Sequence, residues 1–539
     1  FPAGDRSGSI TDGPRTGGRQ LMRLLLTLSL LVLFNGIAFG QSADAPSAAP
    51  RIVIAPAKTE IARELKAQLR SARDAGSVNA LDLYYFYGAR GFEPVWLSAA
   101  GDGWNFVDRT SELFALFRDA GDWGLDAGAY TFTPLAPTTL ADAAKAELAT
   151  TAAALQFGME NYGGRVEPRS ISPNLDMARL KPDIPALLDQ LATSDEPAKL
   201  LAGLAPDDPE FRALLLALRD FDETDAFPEI EDGPSIKPGA NDDRVPHIRQ
   251  RLGVSEVGAA DGAIYDDALV SAVEAFQSRM GLVADGVVGE VTREALNRSG
   301  QITREQLLVN IEKWRWLPRQ RGDYRVEVNI PEFRLWIRRE GEIVHETRVV
   351  IGTPANQTPI FYDQIRHVVV NPYWNVPVSI ARNEIGPQVR RHPGYLARRE
   401  FELLNAGSVI DPWSVDWSSV APGTFPFSVR QKPGSLNALG QVKFLFPNKH
   451  DVYLHDTPEK SLFGRDVRAY SHGCVRVENP FEFADALLAN EPSFGRDDLV
   501  ESFGSRERWF NMEVKVPVYL TYFTVRADED GSLRSFADV

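Results

Sequence analysis

Cys474 is the only cysteine in 539 residues, and it sits in Tyr-Ser-His-Gly-Cys-Val-Arg, Tyr470 to Arg476. A thiol is a poor nucleophile at its ordinary pKa of about 8.5 and becomes useful when an imidazole takes its proton or stabilises its thiolate. Two histidines are near. His455, in Asp-Val-Tyr-Leu-His-Asp-Thr-Pro, ends an apolar strand and enters a turn, so it can project from a sheet edge and face Cys474 across adjacent strands. His472 is too close in sequence for its ring to meet the thiol easily. The spacing therefore makes His455 the general base and His472 an organiser of the turn. Gly473 lets the backbone turn tightly and aim successive N–H groups at one point, a nest suited to an oxyanion. Arg476, two residues on, shares the face of Cys474 if the chain is extended, where it binds a substrate carboxylate or braces the loop.

Other readings of the lone cysteine stand beside this one. Most lone cysteines are buried small hydrophobes, but the polar Ser-His-Gly and Val-Arg flanks argue against an apolar pocket. A metal site from His455, Asp456, His472 and Cys474 matches no common zinc spacing. An intermolecular disulfide stays open. An activated thiol is expected to react with a pH profile set well below that of a free thiol.

The elements that must position these residues belong to a long chain. A length of 539 residues is too great for one core, so two to four domains are expected. Composition is that of a soluble globular protein, 44% hydrophobic and 24% charged. A net charge of −16 argues against a nucleic-acid partner. Met22-Arg23, the apolar run Leu24 to Phe34, and the small residues of Ala38 to Gln41 read as a secretory signal over 22–40. The run is shorter than the ~20 residues of a membrane span, though an uncleaved signal would leave a membrane tether. Residues 1–21 precede that signal and take no part in the expected fold. Export exposes Cys474 to oxidants, and a lone exported cysteine has no internal partner.

Residues 41–58, rich in Ala, Pro and Ser, read as a linker. A helical domain is expected over 59–235. Its helices include Val107 to Ala120, with Leu113, Leu116 and Phe117 at helical spacing. The aromatics of Phe86 to Trp96 are expected in its core. A Pro/Gly linker, Glu231 to Gly239, leads to a small three-helix unit over 240–298, where Leu269, Val273 and Phe276 share a helix face. A bridging helix, Glu305 to Trp316, opens a mainly β domain over 301–539, shown by alternation in Tyr324 to Ile330 and again at Phe333, Leu335 and Ile337. The strand pattern breaks over 379–426, a stretch that reads as a lid; its Arg390 to Arg399 cluster either meets substrate carboxylates or is a solvated helix face.

The segment Ala-x-x-x-Phe-Gln-x-x-x-Gly-Leu-x-x-Asp-Gly-x-x-Gly-x-x-Thr-x-x-Ala-Leu-Asn resembles the peptidoglycan-binding domain 1 family. That resemblance implies a cell-wall targeting module. The pattern His-x(15)-Ser-His-Gly-Cys-x-Arg, His455 to Arg476, closely resembles the L,D-transpeptidase catalytic family. Further phrases, among them Trp-Arg-Trp-Leu-Pro, Asn-Pro-Tyr-Trp-Asn-Val-Pro and Tyr-Leu-His-Asp-Thr-Pro, resemble its large YcbB-like subgroup of diderm bacteria. The fold implied is multidomain α+β: a helical scaffold, a three-helix wall-binding module, and a mainly-β catalytic domain with a capping insertion.

The resemblance implies ping-pong acyl transfer between donor and acceptor tetrapeptide stems of peptidoglycan. Cys474 would attack the carbonyl after the third residue, usually meso-diaminopimelate, releasing D-Ala and forming a thioester. The side-chain amine of a second stem would resolve it into a 3→3 cross-link. His455 would be oriented through the backbone carbonyl of Asp456, with backbone N–H groups around His472, Gly473 and Cys474 holding the oxyanion. Tyr453 and Trp374 match positions lining the cleft, and Arg476 completes the motif. No metal or organic cofactor is implied. The location implied is the periplasm, and other cell-wall synthesis proteins are candidate partners. Water as acceptor would make the enzyme an L,D-carboxypeptidase, and a lipoprotein lysine would make it an anchoring enzyme. A non-catalytic wall-binding scaffold is the reading of another class.

Overall fold

The computed structural model describes residues 53–539 except 78, 102, 131–136, 222–226, 255–261, 300–301, 421–423, 505 and 529. The signal segment and most of the first linker lie outside the described residues. The fold is mixed helix and sheet: a helical N-terminal region, a small helical module and a β-rich C-terminal domain.

Thr59 starts the first helix, Glu60–Asp74, by accepting the Ala62 N–H at 3.2 Å. Its Ile61, Leu65 and Leu69 recur on one face and are buried. The long helix Leu140–Gly163 is capped by Thr139 and runs through the middle of the helical domain's core. It carries a buried carboxylate, Glu147, which accepts the N–H groups of Val95 (2.6 Å) and Trp96 (2.9 Å) and the Tyr87 hydroxyl (2.7 Å). Tyr87, Phe92 and Trp96 are buried around it, so the aromatic phrase belongs to the core, as its composition suggested. The expected helix near Val107 is Thr110–Arg118. A short hairpin, Leu97–Ala100 with Gly103–Phe106, interrupts the helical pattern.

Among the described residues, the small module has three helices, Val245–Leu252, Asp267–Arg279 and Glu290–Ser299. Leu269, Val273 and Phe276 are buried together. Gln277 explains its neighbouring Asp-Gly turn. Its amide accepts the N–H of Asp285 and Gly286 and donates to Asp285 and to the Val287 carbonyl. A buried amide satisfied on both sides pins the turn in place.

Among the described residues, the main sheet of the C-terminal domain has nine strands in the order Ala469–Ser471, Glu342–Gly352, Val475–Val477, Leu454–His455, Val442–Leu445, Phe361–Val370, Arg508–Thr521, Tyr324–Asn329 and Arg334–Arg339. Arg334–Arg339 also pairs with Glu342–Gly352, which closes the sheet on itself. Its interior is filled by Val326, Val328, Leu335, Ile365, Val368, Phe444, Leu454, Val475 and their neighbours.

The interrupted stretch has more order than its sequence pattern indicated. Among the described residues, Trp374–Asn375, Ser428–Gln431, Phe401–Asn405 and Ser408–Ile410 make a second, four-stranded sheet. Helical turns from Val378 to Arg398 pack on it around Ile380, Ile385, Val389 and Leu396. This subdomain therefore starts before residue 379 and ends after 426. Its strands run from two to five residues, too short for alternation to stand out.

The bridging helix Arg304–Arg315 carries a capping box, Thr303 with Gln306. Its Leu307, Ile311 and Trp314 join Phe211, Leu214 and Leu218 of the helical domain to Tyr519 and Phe523 of the β domain in one apolar cluster. Arg526 ties the same seam, with two 2.8 Å contacts to Glu210 and one of 3.2 Å to Glu332. Val53–Val539 accordingly form one unit.

Candidate active site

Leu454–His455 and Val475–Val477 are neighbouring parallel strands, with Leu454 opposite Val475 and His455 opposite Arg476. Leu454 and Val475 are fully buried in the barrel core. Side chains alternate along a strand, so Tyr453, His455, Cys474 and Arg476 fall on the other face. The structure thus brings together four of the residues that sequence reasoning singled out.

His455 is buried, and its Nδ1 lies 2.5 Å from the Asp456 carbonyl oxygen. A carbonyl only accepts, so Nδ1 carries the proton and Nε2 is left bare. Burial, the Arg476 guanidinium and the Lys443 ammonium push the imidazole down to about 3, against the pull of the Asp456 carbonyl. The ring is neutral at physiological pH. The Asp456 carboxylate faces elsewhere, toward Lys460 Nζ (2.7 Å) and the Gln441 N–H (2.9 Å).

Cys474 keeps some accessible surface, and its Sγ lies 3.8 Å from the Asp451 carbonyl. Burial pushes the thiol up to about 11, although the Tyr453 N–H and hydroxyl and the Arg476 guanidinium favour the thiolate. This departs from the expectation of a depressed thiol: desolvation outweighs the local donors. The resting pair is thiol and neutral imidazole.

Tyr453 precedes His455 on the same face, with ring centroids 5.7 Å apart. Arg476 is held by Glu459 at 2.5 Å, the bracing arrangement. Gly473 has φ +111°, a conformation open mainly to glycine. Its N–H is already taken by Ser471 Oγ at 3.1 Å, and that hydroxyl donates to the Cys474 carbonyl at 2.5 Å. Gly473 therefore shapes the turn, while its amide is engaged within the loop rather than pointing free as a nest requires. The His472 ring turns away from the thiol, and its Nε2 meets Glu384 of the capping subdomain at 2.8 Å. Trp374 begins that subdomain, 6.1 Å from the Phe401 ring. Within the arginine cluster, Arg398 meets His392 at 3.1 Å.

Sequence reasoning missed Lys443, the ladder partner of His455 on the other side. Lys443 is nearly buried between the rings of Tyr453 (5.9 Å) and Trp509 (5.7 Å), with Glu507 at 3.7 Å. Burial lowers its pKa, opposed by Glu507 and the nearby thiol. A lysine inside the apolar run Val-Lys-Phe-Leu-Phe was the signal that could have found it.

Three stretches of the chain match known domain families. Residues 323–500 match the L,D-transpeptidase catalytic domain family, 81–218 the Scaffold domain family, and 250–296 the peptidoglycan binding domain family. The chain thus contains an L,D-transpeptidase catalytic domain and a peptidoglycan-binding domain. A Haemophilus influenzae protein named "Putative L,D-transpeptidase" is 40% identical over 185 residues, 34% of this chain. The match spans 37% of that relative's length. Two solved structures are also similar. The L,D-transpeptidase of Xylanimonas cellulosilytica is 18% identical, with 54% of this chain and 100% of that one covered and a TM-score of 0.18. That of Stackebrandtia nassauensis is 15% identical, with 55% and 97% covered and a TM-score of 0.23. Superpositions this loose carry no weight for function.

Proposed function

We propose that this chain is a peptidoglycan L,D-transpeptidase that forms 3→3 cross-links between stem peptides through a thioester on Cys474, working in the periplasm. The observation that carries the reading is the shared face of His455 and Cys474 on paired strands, with the His455 tautomer fixed by the Asp456 carbonyl.

A neutral thiol beside a neutral imidazole transfers its proton as it reacts. As the sulfur attacks the carbonyl after the third stem residue, the S–H proton passes to Nε2 of His455. The tetrahedral oxyanion is met by the His472 and Cys474 N–H groups, because the Gly473 N–H is engaged by Ser471 Oγ. Collapse breaks the C–N bond, and Nε2 returns the proton to the departing D-Ala amine. The amine of a second stem then attacks the thioester, its proton passes through Nε2 to the departing sulfur, and the thiol is restored. Cations at Arg476 and Lys443 disfavour a lasting imidazolium, so the ring gives up the proton readily. The wall-binding module and the catalytic domain in one chain support peptidoglycan as the substrate.

Incubation of the chain with disaccharide-tetrapeptide, read by mass spectrometry, tests this. The expected products are free D-Ala and a 3→3 dimer. Tripeptide alone would assign water as the acceptor, and unchanged substrate bound to the protein would favour a scaffold.

A further inference from the structure

A short segment of the helical domain, 172–177, reaches the catalytic loops. Leu175 bridges to Ile360 in parallel fashion, with the Asp176 N–H donating to the Ile360 carbonyl (2.9 Å) and the Ile360 N–H to the Asn174 carbonyl (2.7 Å). Beside this bridge, the Asn174 amide donates to the Gln357 side chain at 3.0 Å. Next to Gln357, Thr358 donates its hydroxyl to the Gly473 carbonyl (2.8 Å) and accepts the Gly352 N–H (2.9 Å). The segment thereby supports the turn before Cys474.

Asp176 makes a second connection. Its carboxylate meets Lys449 Nζ at 2.8 Å, His450 Nε2 at 3.0 Å and Arg169 Nε at 2.9 Å. Burial works against its charge, but these three cationic or donor partners outweigh it and hold the carboxyl below its usual range. Lys449 and His450 open the loop that contains Asp451, whose carbonyl faces the thiol, and Tyr453. Asn448 ties that loop together, bonding the carbonyls of Phe446 and Val452 and the His450 N–H. The His450 ring also rests 5.4 Å from Phe361, on the barrel wall. Both sides of the Cys474 site are thus braced from one strip of a different domain.

We propose that segment 172–177 is a working part of the catalytic site and that Asp176 is a positioning residue, acting through His450 to fix the 448–453 loop against the Cys474 thiol. This rests on the reading of Cys474 as the nucleophile. The carboxylate touches no reacting atom. It sets where the Asp451 carbonyl and the Tyr453 donors stand, and displacements near 1 Å at such groups cost on the order of a hundredfold in rate.

The test uses the full chain with Asp176→Asn, His450→Gln and the double variant. Steady-state kinetics on tetrapeptide separate kcat from KM, and the rate at which a neutral reagent alkylates Cys474 reports the thiol's surroundings without any substrate. Asp176→Asn is expected to lower kcat about tenfold or more, to change KM by less than about twofold, and to alter the alkylation rate. The double variant should lose little beyond either single one, because both act through the same loop. Wild-type kcat and alkylation in Asp176→Asn would overturn the proposal, as would additive losses in the double variant. If the wild-type chain has no transpeptidase activity, the reading of function fails; the alkylation rates still decide whether Asp176 positions the thiol.

Discussion

Lys443 and His455 are direct ladder partners on antiparallel strands, so a nearly buried ammonium stands on the same face as the imidazole. The ammonium and Arg476 add to burial in pushing the imidazole down to about 3. Lys443→Met is therefore expected to raise the His455 pKa toward its ordinary value of about 6.5. An NMR titration of labelled imidazole measures it; a value unmoved or lowered would refute the electrostatic role given to Lys443.

The same depression links His455 to stability. The folded ring resists protonation, whereas the unfolded ring takes a proton near pH ~6.5. The unfolded state then binds more protons, so stability is fully present above about pH 6.5 and is lost as pH falls toward about 3. His455→Gln should flatten that part of the stability curve, by on the order of a few kcal/mol at its acid end. Denaturant melts from about pH 7 to about pH 4 on both proteins give the answer, and identical slopes would contradict it.

Cys474 is raised to about 11, chiefly by burial. Its alkylation by a neutral reagent should be slow at about pH 7 and should climb with a midpoint well above the about 8.5 of a free thiol. A midpoint near or below that of free cysteine would mean a resting thiolate, and proton transfer from thiol to imidazole during the attack would be wrong.

His472 and Glu384 join the His472–Cys474 turn to the capping subdomain at 2.8 Å, both side chains about half exposed. Exposed pairs contribute about 0.2–1 kcal/mol. Glu384→Gln should therefore leave global stability nearly unchanged while speeding hydrogen exchange over 378–398. Unaltered exchange there would show that the contact does not hold the cap.

The pair at the centre of the site was legible because both signals are local. Alternation places His455 at the end of an apolar strand, and the polar flanks of Cys474 mark it as more than filling. The Phe-Gln and Asp-Gly steps of the small module were legible for the same reason, since Gln277 satisfies a turn only eight residues away. Asp176 was not, because its partners at 449 and 450 are joined to it only by folding. Lys443 stood out only as a lysine within an apolar run, and its pairing with His455 is made by the fold. The raised thiol was missed because local donors can be read from a motif, whereas desolvation depends on every element packed above it.

The most direct measurement is the intact mass of the protein after brief mixing with tetrapeptide stem, quenched in acid, for the wild-type chain, Cys474→Ala and His455→Gln. Acyl transfer through Cys474 predicts an adduct with the mass of the acyl tripeptide on the wild-type chain, mapped to Cys474 by peptide fragmentation. It predicts none on Cys474→Ala and a slow, small fraction on His455→Gln. An adduct on any other residue, or products formed at the wild-type rate by Cys474→Ala, would contradict it.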